Sequence, residues 1–227
     1  MSASRHLTLR ERLYEELVQM IVSGELEPGA ALDERALIAK LSVSRTPFRE
    51  AIGTLEKAGL VEIKPYRGFF VRALSRKQVE DLYELRKTLE CFAVRLAVPR
   101  MTDADVDRFE TVLDRAVTAL RQGDMAAYAE HDRSFHEGVA TLADNHALVE
   151  ALERLALQIQ VFRVMANRSA DLAERAALER DRILAAFRNR DVEYASALMR
   201  EHIADVQQVV MAALAANEMS REGMTGA

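Results

Sequence analysis

Residues 43–52, which read VSRTPFREAI, constrain the fold of this chain more than any other stretch. Ser44 can cap a helix, because its hydroxyl can accept a hydrogen bond from a backbone N–H of the first turn. The beginning of that helix then carries three side chains that can reach a nucleic acid, Arg45, Thr46 and Arg49. A helix N-terminus also presents free N–H groups and partial positive charge, so it suits a phosphate.

The elements around this helix complete a known type of module. Apolar residues at helical spacing predict a first helix over residues 8–23, Asp33 can cap a short second helix, and the third helix covers about residues 45–58. Two apolar stretches, 60–63 and 69–71, flank the turn sequence KPYRG and indicate a β-hairpin. Three helices followed by a hairpin predict a winged helix-turn-helix, in which the hairpin is the wing.

The polar side chains of this module fit contacts with double-stranded DNA. Arg45 or Arg49 can donate two hydrogen bonds to guanine in the major groove, and the hydroxyls of Ser44 and Thr46 suit phosphate oxygens. A surface on which the arginines are merely solvated is the alternative, but the helix start, the turn and the hairpin all favour DNA. The residues predicted to bind DNA are Arg35, Ser44, Arg45, Thr46, Arg49, Arg67 and Gly68.

Two long strings, LVQMIVSGELEPGAAL and VSRTPFREAIGTLEKAGLVEIKPYRGFFV, resemble the winged-helix domain of the GntR family of bacterial transcription regulators. The resemblance covers nearly all of residues 8–72. Gly53 departs from the larger residue usual at its position, and it weakens the helix by about 1 kcal/mol relative to Ala. The resemblance implies DNA contact at Arg35, Arg45, Thr46, Arg49 and Gly68, with Ser44 as a weaker member.

The net charge of −5 is unusual for a DNA-binding protein, but it is unevenly distributed. Residues 1–75 carry 11 Lys+Arg and 10 Asp+Glu, whereas the remainder carries 20 and 26. Binding to DNA needs a local basic surface more than a basic total. The acidic second part and the lack of a basic tail disfavour a structural DNA-packaging protein.

The residues after 75 have the pattern of helices throughout. Apolar residues at helical spacing predict an antiparallel all-α bundle, so the fold class is mainly α. No apolar run of about 18 residues occurs, the N-terminus has no apolar stretch of signal-peptide length, and Cys91 is the single cysteine. We therefore expect a cytoplasmic protein with no membrane partner. The predicted helices lie near residues 76–98, 103–122, 124–142, 145–166, 170–189 and 191–216.

Three polar side chains in this second part have the chemistry of metal ligands. Asp132 and His136 are four residues apart and share one helix face, and His202 lies on the apolar face of the last helix. A carboxylate and two imidazoles form a reasonable site for a divalent cation. The alternative is a polar network that is satisfied within the helical core, because an Asp/His pair at this spacing is common.

The strings YELRKTLECFAVRLA, DRSFH, NHALVEAL and AAFRNRDVEYASALMREHI are similar to the FCD ligand-binding domain of the FadR subfamily. The similarity covers most of residues 77–208, and it implies a homodimer. It also implies a divalent metal such as zinc, held by one Asp and three His, with a small organic acid completing the site. Three of these positions fall on Asp132, His136 and His202, whereas the fourth falls on Arg180.

Arg180 cannot ligate a cation, so two outcomes stay open for this site. A three-ligand metal site can persist, with water or the effector in the fourth position. Alternatively the metal is lost, and Arg180 pairs with Asp132 or binds the carboxylate of the effector directly. Arg86 is the second candidate for binding that carboxylate, and its alternative is a surface salt bridge with Glu90 or Glu84.

Together these features predict a transcription regulator, acting as a repressor, whose DNA affinity is controlled by a small organic acid. Residues 1–75 would form the DNA-binding domain and residues 76–227 the effector-binding and dimerisation domain. Because a homodimer has two-fold symmetry, its operator should be an inverted repeat. The alternative is a metalloenzyme in which Asp132, His136 and His202 activate water. Since no obvious general base or nucleophile accompanies them, we expect no enzymatic activity.

Overall fold

The computed structural model describes residues 8–166 and 172–225, and the chain divides into two compact units between Leu74 and Ser75. We call them the N-terminal unit and the C-terminal unit. Residues 1–7, 167–171 and 226–227 of the predicted domains lie outside the described residues. The first two residues of the helix predicted near 170–189 belong to this undescribed part.

The N-terminal unit contains three helices and a small antiparallel sheet. Strand β3 (Gly68–Val71) lies between β1 (Ala31–Leu32) and β2 (Val61–Lys64), and Val61 pairs with Val71 across the hairpin. The predicted three helices and hairpin are confirmed, whereas the two-residue strand β1 is not predicted by any pattern in the sequence. In chain order the elements are α1 (Leu9–Val22), β1 (Ala31–Leu32), α2 (Glu34–Leu41), α3 (Arg45–Lys57), β2 (Val61–Lys64) and β3 (Gly68–Val71).

Side-chain caps set where the helices of this unit begin. Thr8 and its partner three residues later form a reciprocal capping box at the start of α1. The carboxylate of Asp33 accepts hydrogen bonds from the N–H groups of Arg35 and Ala36, as predicted for α2. Ser44 occupies the N-cap position of α3, but its side chain makes no capping hydrogen bond. Its hydroxyl therefore keeps its hydrogen-bonding capacity for another partner.

One face of α3 is buried, and the opposite face is open to solvent. Phe48, Ile52 and Leu55 have no solvent exposure, and α3 packs against α1. This burial orients the helix so that its first turns present their polar side chains outward. Gly53 lies in the middle of α3 at a place where an added Cβ would meet no atom within 4 Å.

The C-terminal unit consists of six helices and one short 3-10 turn among its described residues, and no strand occurs among them. The all-α prediction is confirmed, while the 3-10 turn Val98–Arg100 after the first helix of this unit is an addition. None of the helices formed by the described residues combines the length and the apolarity of a membrane span. The helices are α4 (Arg76–Ala97), α5 (Asp103–Gln122), α6 (Met125–Leu142), α7 (His146–Ala166), α8 (Leu172–Arg188) and α9 (Val192–Thr225).

These helices pack closely around an apolar core. Helix α4 lies along α9, and α5 packs against both α6 and α8. Gly138 of α6 makes one of these approaches possible, because a Cβ at that position would lie 2.7 Å from the ring of Phe109 on α5. Among the residues whose burial is described, four polar ones are nevertheless buried with the apolar side chains, namely Arg86, Glu90, Asp132 and Ser196.

Candidate functional site

The first candidate site is the surface formed by the start of α3 and by the wing of the N-terminal unit. All seven residues predicted to bind DNA are exposed. The side chains of Arg45 and Arg49 are 62% and 56% exposed. Arg67 and Gly68 lie at the turn of the hairpin and its exit. The unit therefore presents cationic and hydroxyl groups that a polyanion can reach.

Glu34, at the start of α2, joins the two arginines of α3. Its carboxylate accepts hydrogen bonds from Nε and Nη2 of Arg49, at 2.8 and 3.1 Å, and it pairs with Nε of Arg45 at 3.2 Å. The hydrogen bond from Arg49 holds the pKa of Glu34 below its usual value, and the same bond raises the pKa of Arg49. We call Glu34, Arg45 and Arg49 the Glu34 triad.

The wing is shaped by a tight turn. The N–H of Arg67 donates to the carbonyl oxygen of Lys64 at 3.0 Å. Tyr66 has a φ of 60° and is fully exposed, and Gly68 has a φ of 99°, a conformation that glycine adopts without strain. An open cleft of about 420 Å³ is lined by wing residues and by Arg49. The wing therefore faces a space that it shares with Glu34 and Arg49.

The second candidate site is a group of three side chains inside the C-terminal unit, which we call the polar cluster. Asp132 and His136 extend from α6 and His202 from α9, and one potential ligand atom from each lies within 4.8 Å of the others. The two imidazole rings are stacked, with centroids 5.5 Å apart. Nε2 of His136 is 3.7 Å from a carboxylate oxygen of Asp132, which is too far for a hydrogen bond.

Two further carboxylates orient the imidazoles of the polar cluster. Nδ1 of His136 bonds to Glu90 on α4, and Nδ1 of His202 bonds to Glu179 on α8 at 2.8 Å. Because a carboxylate accepts hydrogen bonds, we assign the proton of each ring to Nδ1, which leaves the lone pair on Nε2. Nε2 of His136 is buried and has no hydrogen-bond partner in the part of the chain that is described.

Burial keeps the imidazole of His136 neutral beside an ionised carboxylate. Burial lowers the pKa of His136. Burial alone would raise the pKa of Glu90, but the charge of Arg86 and the hydrogen bonds from His136 and Arg86 lower it to about 2. A neutral imidazole next to an ionised acceptor is the state in which Nε2 can donate its lone pair to a ligand.

A cavity of about 160 Å³ adjoins the polar cluster, and Arg86, Asp132 and His136 are among the residues that line it. Nε of Arg86 bonds to Glu90 at 2.5 Å, and both side chains are buried, so this pair is not the surface salt bridge considered above. Nη1 of Arg86 is buried and has no hydrogen-bond partner among the described residues. The cavity therefore holds a cationic donor on one side and apolar side chains such as Val149 on another.

Arg180 bonds to two carboxylates that differ from the partners considered above, which were Asp132 and the carboxylate of the effector. Its guanidinium bonds to Asp114 on α5. It also bonds to the neighbouring Asp181, from Nε at 3.0 Å and from Nη2 at 2.7 Å. It lines a smaller hollow of about 30 Å³ together with Asp132 and His202. The α8 side chain that bonds to His202 is thus the preceding residue, Glu179.

The residues of the polar cluster fit a divalent cation. One carboxylate oxygen and two imidazole nitrogens are donors that zinc accepts. The unpartnered Nε2 of His136 is the buried polar atom that a cation would satisfy. Glu90 and Glu179 hold the two imidazoles in the way that carboxylates commonly hold metal-binding histidines.

Comparison with known proteins assigns both units. The FCD domain family matches residues 81–205, which is more than half of the chain. The family of bacterial regulatory proteins named gntR matches residues 9–71. The chain belongs to the GntR family of bacterial transcription regulators. The two matches fall on opposite sides of the division between the units, so this GntR regulator combines a winged helix-turn-helix with an FCD domain.

The relatives of this GntR regulator extend over most of its length. The Nta operon transcriptional regulator of Aminobacter aminovorans is 32% identical over 186 residues, which cover 81% of this chain and 86% of that protein. A probable D-xylose utilization operon transcriptional repressor of Paenarthrobacter nicotinovorans is 31% identical over 197 residues, which cover 87% and 86%. The solved structure of E. coli McbR/YncC has a TM-score of 0.76 at 26% identity, and it covers 89% of this chain and 98% of that chain.

Three carboxylates of this GntR regulator were not predicted as parts of a site. Glu90 was considered as a salt-bridge partner of Arg86, and its spacing of four residues from Arg86 places both on one helix face. Glu34 and Glu179 follow from no spacing rule, because each pairs with a residue on another helix. The available signal for these two residues was that Glu34 precedes Arg35 and Glu179 precedes Arg180 in the sequence.

Proposed function

We propose that this GntR regulator is a repressor whose affinity for its operator is set by a small carboxylate bound in the C-terminal unit. The observation that carries this proposal is the buried Nη1 of Arg86, which lacks a hydrogen-bond partner among the described residues and belongs to a cavity-lining residue. A buried guanidinium with unused donors is costly unless an anion satisfies it. A carboxylate is the anion that a guanidinium binds with two hydrogen bonds.

The size of the cavity supports a small effector. Its volume of about 160 Å³ lies below the roughly 300–1,000 Å³ of sites for drug-sized ligands. Arg86 would bind the carboxylate, and apolar side chains including Val149 and Leu152 would cover the rest of the molecule. A small organic acid with a short apolar body fits this combination.

Asp132, His136 and His202 would hold a divalent cation such as zinc beside the effector. When bound, the cation supplies a Lewis-acidic anchor for an oxygen of the carboxylate. Glu90 and Glu179 keep the two imidazoles in the orientation that presents Nε2. Arg180 would contribute indirectly, since its bond to Asp114 links α8 to α5.

The DNA-binding unit would use the seven exposed residues of its surface. Arg45 and Arg49 would donate to guanine in the major groove, while Ser44, Thr46 and Arg35 would bind phosphates. Arg67 and Gly68 would bring the wing along the minor groove. In a homodimer, two such units would bind an inverted repeat in cytoplasmic DNA.

Control by the effector requires a difference in affinity. The effector can change operator binding only as far as it binds the DNA-competent and DNA-incompetent arrangements with different free energies. The relatives named above are transcription regulators or repressors, which supports this role over a metalloenzyme. The catalytic alternative has no support from the comparisons.

A thermal-shift screen with small organic acids tests the effector site. We expect at least one monocarboxylate or dicarboxylate to raise the melting temperature of the wild type and to lose this effect in Arg86→Lys, because lysine cannot bind a carboxylate with two parallel bonds. Arg95→Lys changes an exposed arginine of the same helix and should respond like the wild type. An equal response of Arg86→Lys and the wild type would contradict the assigned role of Arg86.

Metal analysis tests the polar cluster separately. After preparation with zinc, we expect about one equivalent per chain in the wild type and about one tenth or less in His136→Ala and His202→Ala. His146→Ala is the matched control, because His146 is 89% exposed and lies outside the polar cluster. A wild-type content of about one tenth of an equivalent or less would rule out the three-ligand site.

A further inference from the structure

The Glu34 triad places a carboxylate against the two arginines that are proposed to contact base edges. The Glu34 side chain is 19% exposed, whereas those of Arg45 and Arg49 are more than half exposed. The Glu34 side chain is therefore less accessible to a polyanion than the two arginine side chains with which it pairs. Glu34 is the first residue of α2, and Arg45 and Arg49 are the first and fifth residues of α3.

Arg49 bonds to Glu34 through one edge of its guanidinium. Nε and Nη2 donate to the two oxygens of Glu34, at 2.8 and 3.1 Å. A guanidinium has five N–H donors, so the edge formed by Nη1 and the second hydrogen of Nη2 stays available. That edge can bind O6 and N7 of guanine with two hydrogen bonds. Glu34 thus restrains Arg49 without consuming the donors that read a base.

We propose that Glu34 is a positioning residue that sets the sequence specificity of this regulator. It restrains the guanidinium of Arg49 before DNA arrives, so that less side-chain entropy is lost when the base contact forms. Its negative charge also disfavours a phosphate at the same place, so Arg49 is directed to base edges instead of the backbone. The proposal rests on the proposed contact of Arg49 with guanine.

The competing role for the ion pair of Glu34 and Arg49 is to weaken the binding of DNA of any sequence. If Arg49 had to leave Glu34 before it could contact DNA, removal of the carboxylate would strengthen binding to every sequence in the same proportion. A positioning role predicts a different pattern, because loss of the carboxylate weakens discrimination between sequences. The ratio of operator affinity to random-DNA affinity separates the two roles.

The experiment begins with duplexes that the full-length wild type selects from a random-sequence pool. The affinities of wild type, Glu34→Gln and Glu34→Asp are then measured for the selected duplex and for the unselected pool at one fixed salt concentration. We expect Glu34→Gln to lower the ratio of the two affinities about tenfold, within the range that one bidentate base contact contributes. Affinity for the pool should stay equal or rise, because a negative charge has been removed.

Three controls show whether the loss of sequence discrimination belongs to this carboxylate. Glu25→Gln removes the same charge from another ion pair of the N-terminal unit, that with Lys40, and should keep the wild-type ratio. Glu34→Asp retains a carboxylate and should recover part of the ratio. Replacing guanine by 7-deazaguanine in the selected duplex removes N7, and this replacement should cost the wild type more affinity than it costs Glu34→Gln.

The outcomes separate the positioning role from the proposed DNA contacts. If the wild type enriched no sequence, specific DNA binding and the role of Glu34 would both be overturned. Normal enrichment by the wild type, with an unchanged ratio in Glu34→Gln, would overturn the role of Glu34 alone. Equal loss of both affinities in Glu34→Gln, together with a lower melting temperature, would assign Glu34 to the fold and would also overturn the proposal.

Discussion

The same pair of residue types, a glutamate and an arginine, occurs in both units in opposite environments. Glu34 and Arg49 form a pair at the surface of the N-terminal unit, where the arginine is 56% exposed. Arg86 and Glu90 form a pair in the interior of the C-terminal unit, where the side chains are 6% and 8% exposed. Water and salt screen the first pair but have little access to the second. The exposed pair can therefore serve recognition of a polyanion, whereas the buried pair suits the binding of a single small anion.

The largest effect that distinguishes the two environments should come from Arg86→Ala. Removing the arginine leaves Glu90 buried with less compensation, and we expect a loss of about 3–5 kcal/mol in the free energy of unfolding. Urea denaturation followed by circular dichroism measures it. Arg95→Ala removes an arginine of the same helix whose pair with Glu193 is exposed, and it should cost at most about 1 kcal/mol. Equal losses in the two variants would show that burial of the pair has no energetic consequence.

Arg49→Ala should separate DNA recognition from stability. We expect affinity for a selected duplex to fall about 10- to 100-fold, because a bidentate contact with guanine is lost. The free energy of unfolding should stay close to that of the wild type, since the side chain is mostly exposed. Fluorescence anisotropy with labelled duplex and thermal melting of the same preparation measure the two quantities. Unchanged affinity for the selected duplex would count against the assignment of α3 as the helix that reads bases.

Two glycines in helices provide a matched comparison of packing in the two units. Gly138→Ala would bring a Cβ to 2.7 Å from the ring of Phe109, and we expect a destabilisation of about 1–3 kcal/mol. In Gly53→Ala the added Cβ meets no atom within 4 Å, so the helix should gain up to about 1 kcal/mol. Calorimetric melting of both variants tests the opposite signs. A stabilised Gly138→Ala would mean that α5 and α6 separate more easily than their close approach indicates.

The smallest effect should be the pH dependence of the stability that the exposed pair of Glu34 and Arg49 contributes to the fold. Hydrogen bonding from Arg49 lowers the pKa of Glu34 in the folded state, so the ionised carboxylate stabilises the fold above its unfolded pKa, near 4.5. This contribution is lost as the pH falls through the lower folded value. The difference in unfolding free energy between wild type and Glu34→Gln should therefore be constant near neutral pH and shrink below pH 4.5. A difference that grows on acidification would contradict the direction of the shift.

Much of the fold followed from local patterns in the sequence. Asp33 was predicted to cap α2 and does so, and the buried residues Phe48, Ile52 and Leu55 follow the predicted helical spacing. In the C-terminal unit, the predicted helices near 103–122 and 145–166 correspond to α5 and α7 with differences of one residue at most. Such features depend on residues within a few positions of one another, so the sequence carries them directly.

The candidate sites were predicted less completely, because their supporting contacts join distant parts of the chain. Asp132, His136 and His202 were expected to lie together, and the structure brings their potential ligand atoms within 4.8 Å. The partners that orient the rings were not expected, since Glu179 is 23 residues from His202 and Glu90 is 46 residues from His136. No spacing rule relates residues on separate helices at such distances.

Taken alone, the sequence determined the two kinds of unit and the order of their helices and strands, together with the residue types available at each surface. These properties are local, because capping, turn formation and helical periodicity act over a few residues. The tertiary structure decided which charges meet: Arg49 with Glu34 and Arg180 with Asp114, pairs that are 15 and 66 residues apart. Those pairings depend on how each helix is rotated against its neighbours, and side-chain packing throughout the unit sets that rotation.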